Sequence, residues 1–478
     1  MPSIADSRRL MASGQMSASE LLADAIRHIE RHNPAINALP TLCLDRALQE
    51  ARGLDNQLMP SRRTPNAGRF GPLTGQPYCA KDLFDTEDIR TTYGSTIFAH
   101  HVPERDDDVV ARIRRAGAVL LGKSNTPEFA AGSQTFNRVF GATRNPHDPT
   151  RTTGGSTGGG AAALACGMVN VADGSDLAAS LRNPASFCGV AGMRASSHLD
   201  PRLQPGRDPF NTLSMVGPLA RSIADLREIF LAIFDPQGCQ PQRSLSHWVA
   251  LRDRQESARI KRRHAWRGGR RLRIGWAPTW DRLAVDAAVL QAMDRFASRA
   301  AEAGMTLVEG FPILPDVRSA FLALRGEYFV AELHDLHRQH PGELKDTIVW
   351  NIEQGLRLTT AELIEARKIR AATRICIEHY MDVHQLDVVA GPTCQVLPFD
   401  LQTPYVEQIG ETRLETYIDW LASNFFVTVA GLPAISLPTE TSMAPDTGAS
   451  LPVGVQLIGR WGTDMDLLDA AQLIEETL

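Results

Sequence analysis

The chain has 478 residues, 43% of them hydrophobic and 22% charged, a composition that excludes a disordered chain and suffices for a large core. Lys and Arg number 50 against 55 Asp and Glu, and the formal charge of −5 gives no general attraction to polyanions or anionic membranes. Seven cysteines, odd in number, scattered and never in a CxxC pair, fit a reducing compartment rather than a disulfide framework.

The N-terminal MPSIADSRRLMAS holds no apolar stretch of signal-peptide length, and no later run approaches the roughly 20 apolar residues of a membrane span. A cytoplasmic protein without a membrane partner is expected. Ser17 and Glu20 have capping-box spacing, and Leu21, Leu22, Ala25, Ile26 and Ile29 recur at helical period, which predicts a helix over 17–32. A second amphipathic helix is predicted over Asp106–Ala116, leading into a buried strand at Gly117–Leu121. Further strand-like runs are Val169–Val171, Leu272–Trp276, Asp387–Ala390, Ala434–Leu437 and Val453–Ile458, with helix-like segments between them. This alternation predicts an α/β fold with a mixed central sheet flanked by helices. No internal repeat interrupts it. Residues 236–272 are polar, basic and irregular and residues 280–385 mostly helical, so the reading is a single domain over 1–478 with an insertion at about 236–385 covering the core.

The basic run from Arg259 to Arg273 lacks any aromatic or base-reading framework and reads as a solvated segment, so no nucleic-acid partner is expected. Gly117–Ser124 matches GxxxxGK[ST], but its four intervening residues are a strand, where a phosphate cradle should follow one. His334, His337 and His340 could line a helix face, yet they run into Pro341-Gly342 and read as a solvated helix end, so no metal site is assigned.

From Arg151 to Arg194 the composition turns to small residues and hydroxyls. Gly154-Gly155-Ser156-Thr157-Gly158-Gly159-Gly160 runs into an alanine-rich helix, whose N-terminus offers unpaired N–H groups to developing negative charge. Gly154–Gly158 also fits the GxSxG nucleophile elbow, which needs a strand directly before it. Asn145–Arg151 is a loop instead.

These parts resemble the amidase signature family. The glycine–serine loop is Gly155–Gly159, the later serine segment is Ala179-Ser180-Leu181-Arg182-Asn183-Pro184-Ala185, and the lysine motif is Ala80-Lys81-Asp82-Leu83-Phe84. The similarity continues through Thr91–Ser95, Gly122–Phe129, Gly141–Pro146, Gly431–Ala434 and Pro452–Gln456, in the family's order and over nearly the whole chain.

The resemblance implies an amidase fold and hydrolysis of carboxylic amides, or of similar anilides, carbamates or esters, through an acyl-enzyme on Ser180. It implies that Lys81, held neutral by burial, takes a proton from Ser156, which takes one from Ser180. In the family the relay serine sits on a cis peptide. Backbone N–H groups of Leu177, Ala178, Ala179 and Ser180 would form the oxyanion hole, with Asp176, Arg182 and Thr157 supporting the loop. Phe129, Ser133 and Phe136 would line the substrate pocket together with parts of the insertion. Neither metal nor organic cofactor is implied; the partner is a small amide, and a homodimer is admitted. Where the family carries two glycines before the nucleophile this chain has Ala178 and Ala179, which tolerate positive φ poorly. That departure motivates a catalytically silent amide-binding relative as one alternative. The amidase component of a multi-subunit amidotransferase is the other.

Overall fold

A computed structural model of the chain describes residues 1–63, 70–199, 212–235, 271–280 and 282–478. Among them run strands β1 (Thr41–Leu42), β2 (Pro77–Lys81), β3 (Val119–Ser124), β4 (Phe136–Asn137), β5 (Gly141–Ala142), β6 (Val171–Asp176), β7 (Ala191–Arg194), β8 (Met215–Ala220), β9 (Arg273–Trp276), β10 (Thr306–Glu309), β11 (Val388–Pro392), β12 (Gln408–Ile409), β13 (Thr412–Arg413), β14 (Ala434–Met443) and β15 (Ser450–Ile458). Eleven of them form one mixed sheet in the order β1-β3-β2-β6-β8-β7-β14-β15-β11-β9-β10, flanked by 13 helices among the described residues. The fold class read from the sequence is the one observed.

Two runs of the sheet are parallel, β3-β2-β6 and β10-β9-β11; the strands between them are antiparallel, and so is the short edge strand β1 against β3. Parallel neighbours need crossover connections, and the helices supply them. Side chains alternate across the strands. Tyr78, Ala80, Leu120 and Val171 enter one buried cluster with the helix Ile223–Phe234, while Cys79, Val119, Leu121 and Ala172 enter another with the helix Ala18–Ile36. Both faces are therefore covered, which explains why β2, β3, β6 and β8 are buried at every position.

The predicted N-terminal helix spans Ala18–Ile36, with Ser17 and Glu20 forming the capping box. The second predicted helix is Asp108–Arg115, shorter than expected because Asp107 caps it by accepting from Val109 N. The strand expected at Gly117–Leu121 begins later, since Gly117 takes φ +99°, and continues through Ser124. Lys123 is thus the next-to-last residue of a buried strand and donates to Phe84 O, Thr86 Oγ1 and Thr91 Oγ1. Within 280–385 lie four helices, Ala287–Glu302, Val317–Gln339, Asp346–Arg357 and Thr360–Val383, and also β10, which pairs with β9 at the sheet edge. Arg259–Arg270 of the basic run lie outside the described residues.

The eight-residue helix Gly158–Ala165 sits against the end of β3. A Cβ on Gly159 would lie 2.3 Å from Asn125 N and 2.7 Å from Ala38 O, backbone atoms of two buried segments. Gly159→Ala is therefore expected to destabilise by roughly 1–3 kcal/mol despite alanine's better helix propensity. A urea midpoint equal to or above that of the unaltered chain would show that the contact yields.

Candidate active site

Lys81 is the last residue of β2, which is hydrogen-bonded to β3 on one side and β6 on the other, so its side chain is wholly buried. Asp173 of β6 braces this strand: its Oδ1 accepts from Lys81 N at 2.7 Å, and its Oδ2 accepts from Tyr78 Oη. Lys81 Nζ lies 2.7 Å from Ser156 Oγ and 3.0 Å from both Thr157 Oγ1 and Ser175 Oγ. Burial pulls the ammonium down to about 7, although Asp173 and Asp176 oppose the shift. Burial likewise raises Asp173 to about 6, against the hydrogen bonds from Tyr78 and Lys81 N.

Ser156 precedes the helix Gly158–Ala165, and the Gly155–Ser156 peptide is cis. Thr157 stands at the N-cap position of this helix without a side-chain capping bond, and its N–H donates to Ser180 O at 3.2 Å, tying the two serine segments together. A Cβ on Gly174 would lie 2.6 Å from Thr157 Oγ1 and Cγ2, so the glycine in β6 makes room for that threonine beside Lys81.

Ser180 lies in the turn between β6 and the helix Arg182–Cys188. Asp176, at the end of β6, receives a bidentate pair from Arg182, Nη2 to Oδ1 at 2.9 Å and Nε to Oδ2 at 3.0 Å, with both side chains fully buried. Burial pushes Asp176 up, but Arg182, Arg194 and the Leu181 N–H outweigh it and hold the carboxyl below its ordinary range. Besides Ser180 O, three carbonyls of the turn are anchored: Asp176 O accepts from Arg194, Ala178 O from Arg182 at 2.8 Å, and Ala179 O from Asn183 N at 2.8 Å. In a trans peptide N–H points opposite to C=O, so the N–H groups of Leu177, Ala179 and Ser180 turn away from those anchors. Among the described residues, none of the N–H groups from Leu177 to Ser180 donates to another protein group. Neither Ala178 nor Ala179 has positive φ, so this turn does not need glycine there.

Ser156, Ser180, Leu177 and Ala178 line one narrow cavity of about 70 Å³. Phe129 and Ser133 line it as well, whereas Phe136 stands outside on β4, under the Lys345 ammonium at 4.6 Å from its ring centre. Phe129 and Ala130 take φ +47° and +55°, an uncommon conformation that carries the cavity wall. The cavity also receives Arg325, Tyr328 and Phe329 from the helix Val317–Gln339, and Tyr417, none of which the sequence reading singled out. Asp173 and Ser175 were legible in principle, because two polar residues two apart in one strand share a face. Arg325 was not, because its helix is polar and apolar by turns with no motif around it.

Among the described residues no group of three or more His, Cys, Asp or Glu is placed to hold a metal, and no helix is long and apolar enough to cross a membrane. His334 and His337 lie on the helix ending at Gln339, and His340 Nδ1 is 3.1 Å from Glu343 Oε1.

A family model described as Amidase matches residues 20–468. A glutamyl-tRNA(Gln) amidotransferase subunit from Moorella thermoacetica is 31% identical, over 98% of this chain and 95% of the relative. The corresponding amidotransferase subunit from Azoarcus sp. is also 31% identical, over 99% and 97%. Among solved structures, a chain of a vestigial complex tied to the origins of an s-triazine catabolic enzyme is 29% identical with a TM-score of 0.80, covering 100% of this chain and 98% of that one. A bacterial aryl acylamidase, 22% identical and covered to 96% by all of this chain, shares the fold at a TM-score of 0.83. The match runs through both serine segments and the lysine strand, and by it this chain belongs to the amidase signature family, hydrolases and amidotransferases that act on C–N bonds.

Proposed function

We propose that this protein hydrolyses carboxylic amides through an acyl-enzyme on Ser180, with Ser156 as proton relay and Lys81 as base. The observation that carries the reading is Lys81 Nζ, buried and depressed to about 7, at 2.7 Å from Ser156 Oγ. A serine hydroxyl needs such a base to become a nucleophile at neutral pH.

In the reaction, neutral Lys81 accepts the Ser156 proton while Ser156 accepts that of Ser180. Ser180 Oγ then bonds to the amide carbon, and the carbonyl oxygen becomes an oxyanion held by the N–H groups of the Leu177–Ser180 turn. The proton returns through Ser156 to the amide nitrogen, the C–N bond breaks and the amine departs. Water, deprotonated by the same relay, attacks the ester, releasing the acid and restoring Ser180. Asp176, Arg182 and Thr157 position the turn.

Because the base must be unprotonated, activity is expected to rise with pH through about 7 and level off above it. At pH 5, two units below, kcat/KM is expected to be about 100-fold below the plateau. The test is amine release from primary amides, anilides and carbamates across pH 5–9; a flat profile would remove Lys81 as the base. Labelling of Ser180 by a fluorophosphonate separates this reading from a silent amide binder. The 31% identity to amidotransferase subunits favours a second reading, the amidase half of a larger enzyme that hands ammonia on. Co-purification of a stoichiometric partner, with ammonia release dependent on it, would favour that reading.

A further inference from the structure

Arg325 is 5% exposed, and it is the one charged side chain lining the cavity among the described residues. Its contacts are all to neutral groups: Nε donates to Asn351 Oδ1 at 2.9 Å, Nη2 to Tyr417 Oη at 3.0 Å, and the guanidinium lies 4.6 Å from the Phe329 ring centre. No carboxylate lies within 4 Å of it among the described residues, and Nη1 has no protein partner there. A buried guanidinium without a counter-ion is unfavourable unless something else supplies the negative charge. Its neighbours do not: Lys345, also cationic, is close enough for Arg325 to depress it.

Tyr417 offers a second donor. Its oxygen accepts from Arg325 Nη2 and from Asn351 Nδ2, the latter at 2.6 Å, which uses both lone pairs. The phenol proton is then left to donate, and among the described residues it meets no protein acceptor, while Tyr417 lines the cavity. Asn351 is itself fixed, its Nδ2 also donating to Thr347 O, so both donors are held before any ligand arrives. One guanidinium N–H and one phenol O–H converging on a small cavity match a planar carboxylate.

We propose that the substrate is a small amide bearing a carboxylate, which docks on Arg325 and Tyr417 while its amide carbon lies at Ser180. This rests on the amidase reading of the same cavity. With no acidic side chain lining the cavity among the described residues, a free ammonium beside that carboxylate would find no counter-charge, so the class is simple amic acids rather than zwitterions.

The test compares ammonia release from succinamic and glutaramic acids with release from succinamide and glutaramide, which replace the carboxylate by a neutral isostere. The ratio of kcat/KM, acid over diamide, is expected to be about 100 in the unaltered chain. It should fall toward 1 in Arg325→Gln, and about tenfold in Tyr417→Phe, whose ring still fills the site if the arginine variant does not fold. Calorimetric binding of succinamic acid and succinamide to Ser180→Ala reads the anion site without turnover. A chain that labels at Ser180 with a fluorophosphonate and treats acid and diamide alike keeps the amidase reading and overturns the carboxylate site. A chain that neither labels nor turns over loses the amidase reading, and the calorimetric preference then decides the anion site: its absence overturns the proposal.

Discussion

Ser180→Ala is expected to lower kcat for amide hydrolysis by about 10⁴- to 10⁶-fold and to leave stability within about 1 kcal/mol. The asymmetry follows from what the hydroxyl touches. Ser180 Oγ makes no hydrogen bond to protein among the described residues, and the side chain borders the cavity, so its removal leaves neither an unpaired buried partner nor a new void in the core. The backbone bond from Thr157 N to Ser180 O is untouched. Lys81→Ala should be similarly inactive, since Ser156 would lose the group 2.7 Å away that can take its proton. Residues acting as one unit do not add, so the double variant should be no slower than the worse single one. Amine release, with urea unfolding run in parallel, measures both halves. Ser180→Ala retaining a tenth of the activity would move the nucleophile elsewhere.

Much of this was legible in the sequence, and the parts that were not share a cause. Ser156, Ser180 and Lys81 could be picked out only together, because the motifs around them resemble those of the amidase signature family in the same order. β3, β11, β14 and β15 were visible as apolar runs, their boundaries moving where a turn glycine such as Gly117 or an added pairing partner set them. β2 was missed as a strand, although it carries Lys81, because Pro77-Tyr78-Cys79-Ala80-Lys81 is short and becomes a strand only through β3 and β6 on its two sides. β7 and β8 were missed likewise; each pairs with strands distant in the chain, β7 with β14 and β8 with β6. Phe136 was expected to line the pocket with Phe129 and Ser133, yet it lies on β4 and is not among the residues lining the cavity. The far wall of the cavity, Arg325 and Tyr417, comes from segments 92 residues apart that only the packed helices unite.

Arg182 is where stability and catalysis meet, and its loss is expected to be the most damaging to the fold. Its guanidinium reaches Asp176, Ala178 O, Asn424 O, Thr428 Oγ1 and Gln456 Oε1, joining β6, the turn that holds Ser180, the helix Ala422–Ala430 and β15. Arg182→Met removes the fork and leaves the buried carboxylate with the Leu181 N–H and with Arg194, 3.7 Å from Asp176 Oδ1. Breaking such a pair from one side costs about 3–5 kcal/mol. The deficit should depend on pH in a definite direction. With Arg182 present, Asp176 is held below its ordinary range, so the pair contributes above the unfolded carboxyl value and fades as pH falls through the folded one. Without it burial dominates, the folded carboxyl rises above its unfolded value, and proton uptake at low pH relieves the penalty. The gap between variant and unaltered chain should therefore narrow from pH 7 to pH 5 in urea unfolding. Arg182→Lys keeps the charge but not the fork, and a single ammonium cannot satisfy both Asp176 and Ala178 O in the same geometry. With that carbonyl loose, the N–H of Ala179 loses its direction, and kcat should fall by about 10²- to 10³-fold while KM changes little. A lysine variant with full kcat would show that the turn holds its shape without the anchor, leaving Arg182 as a purely structural residue.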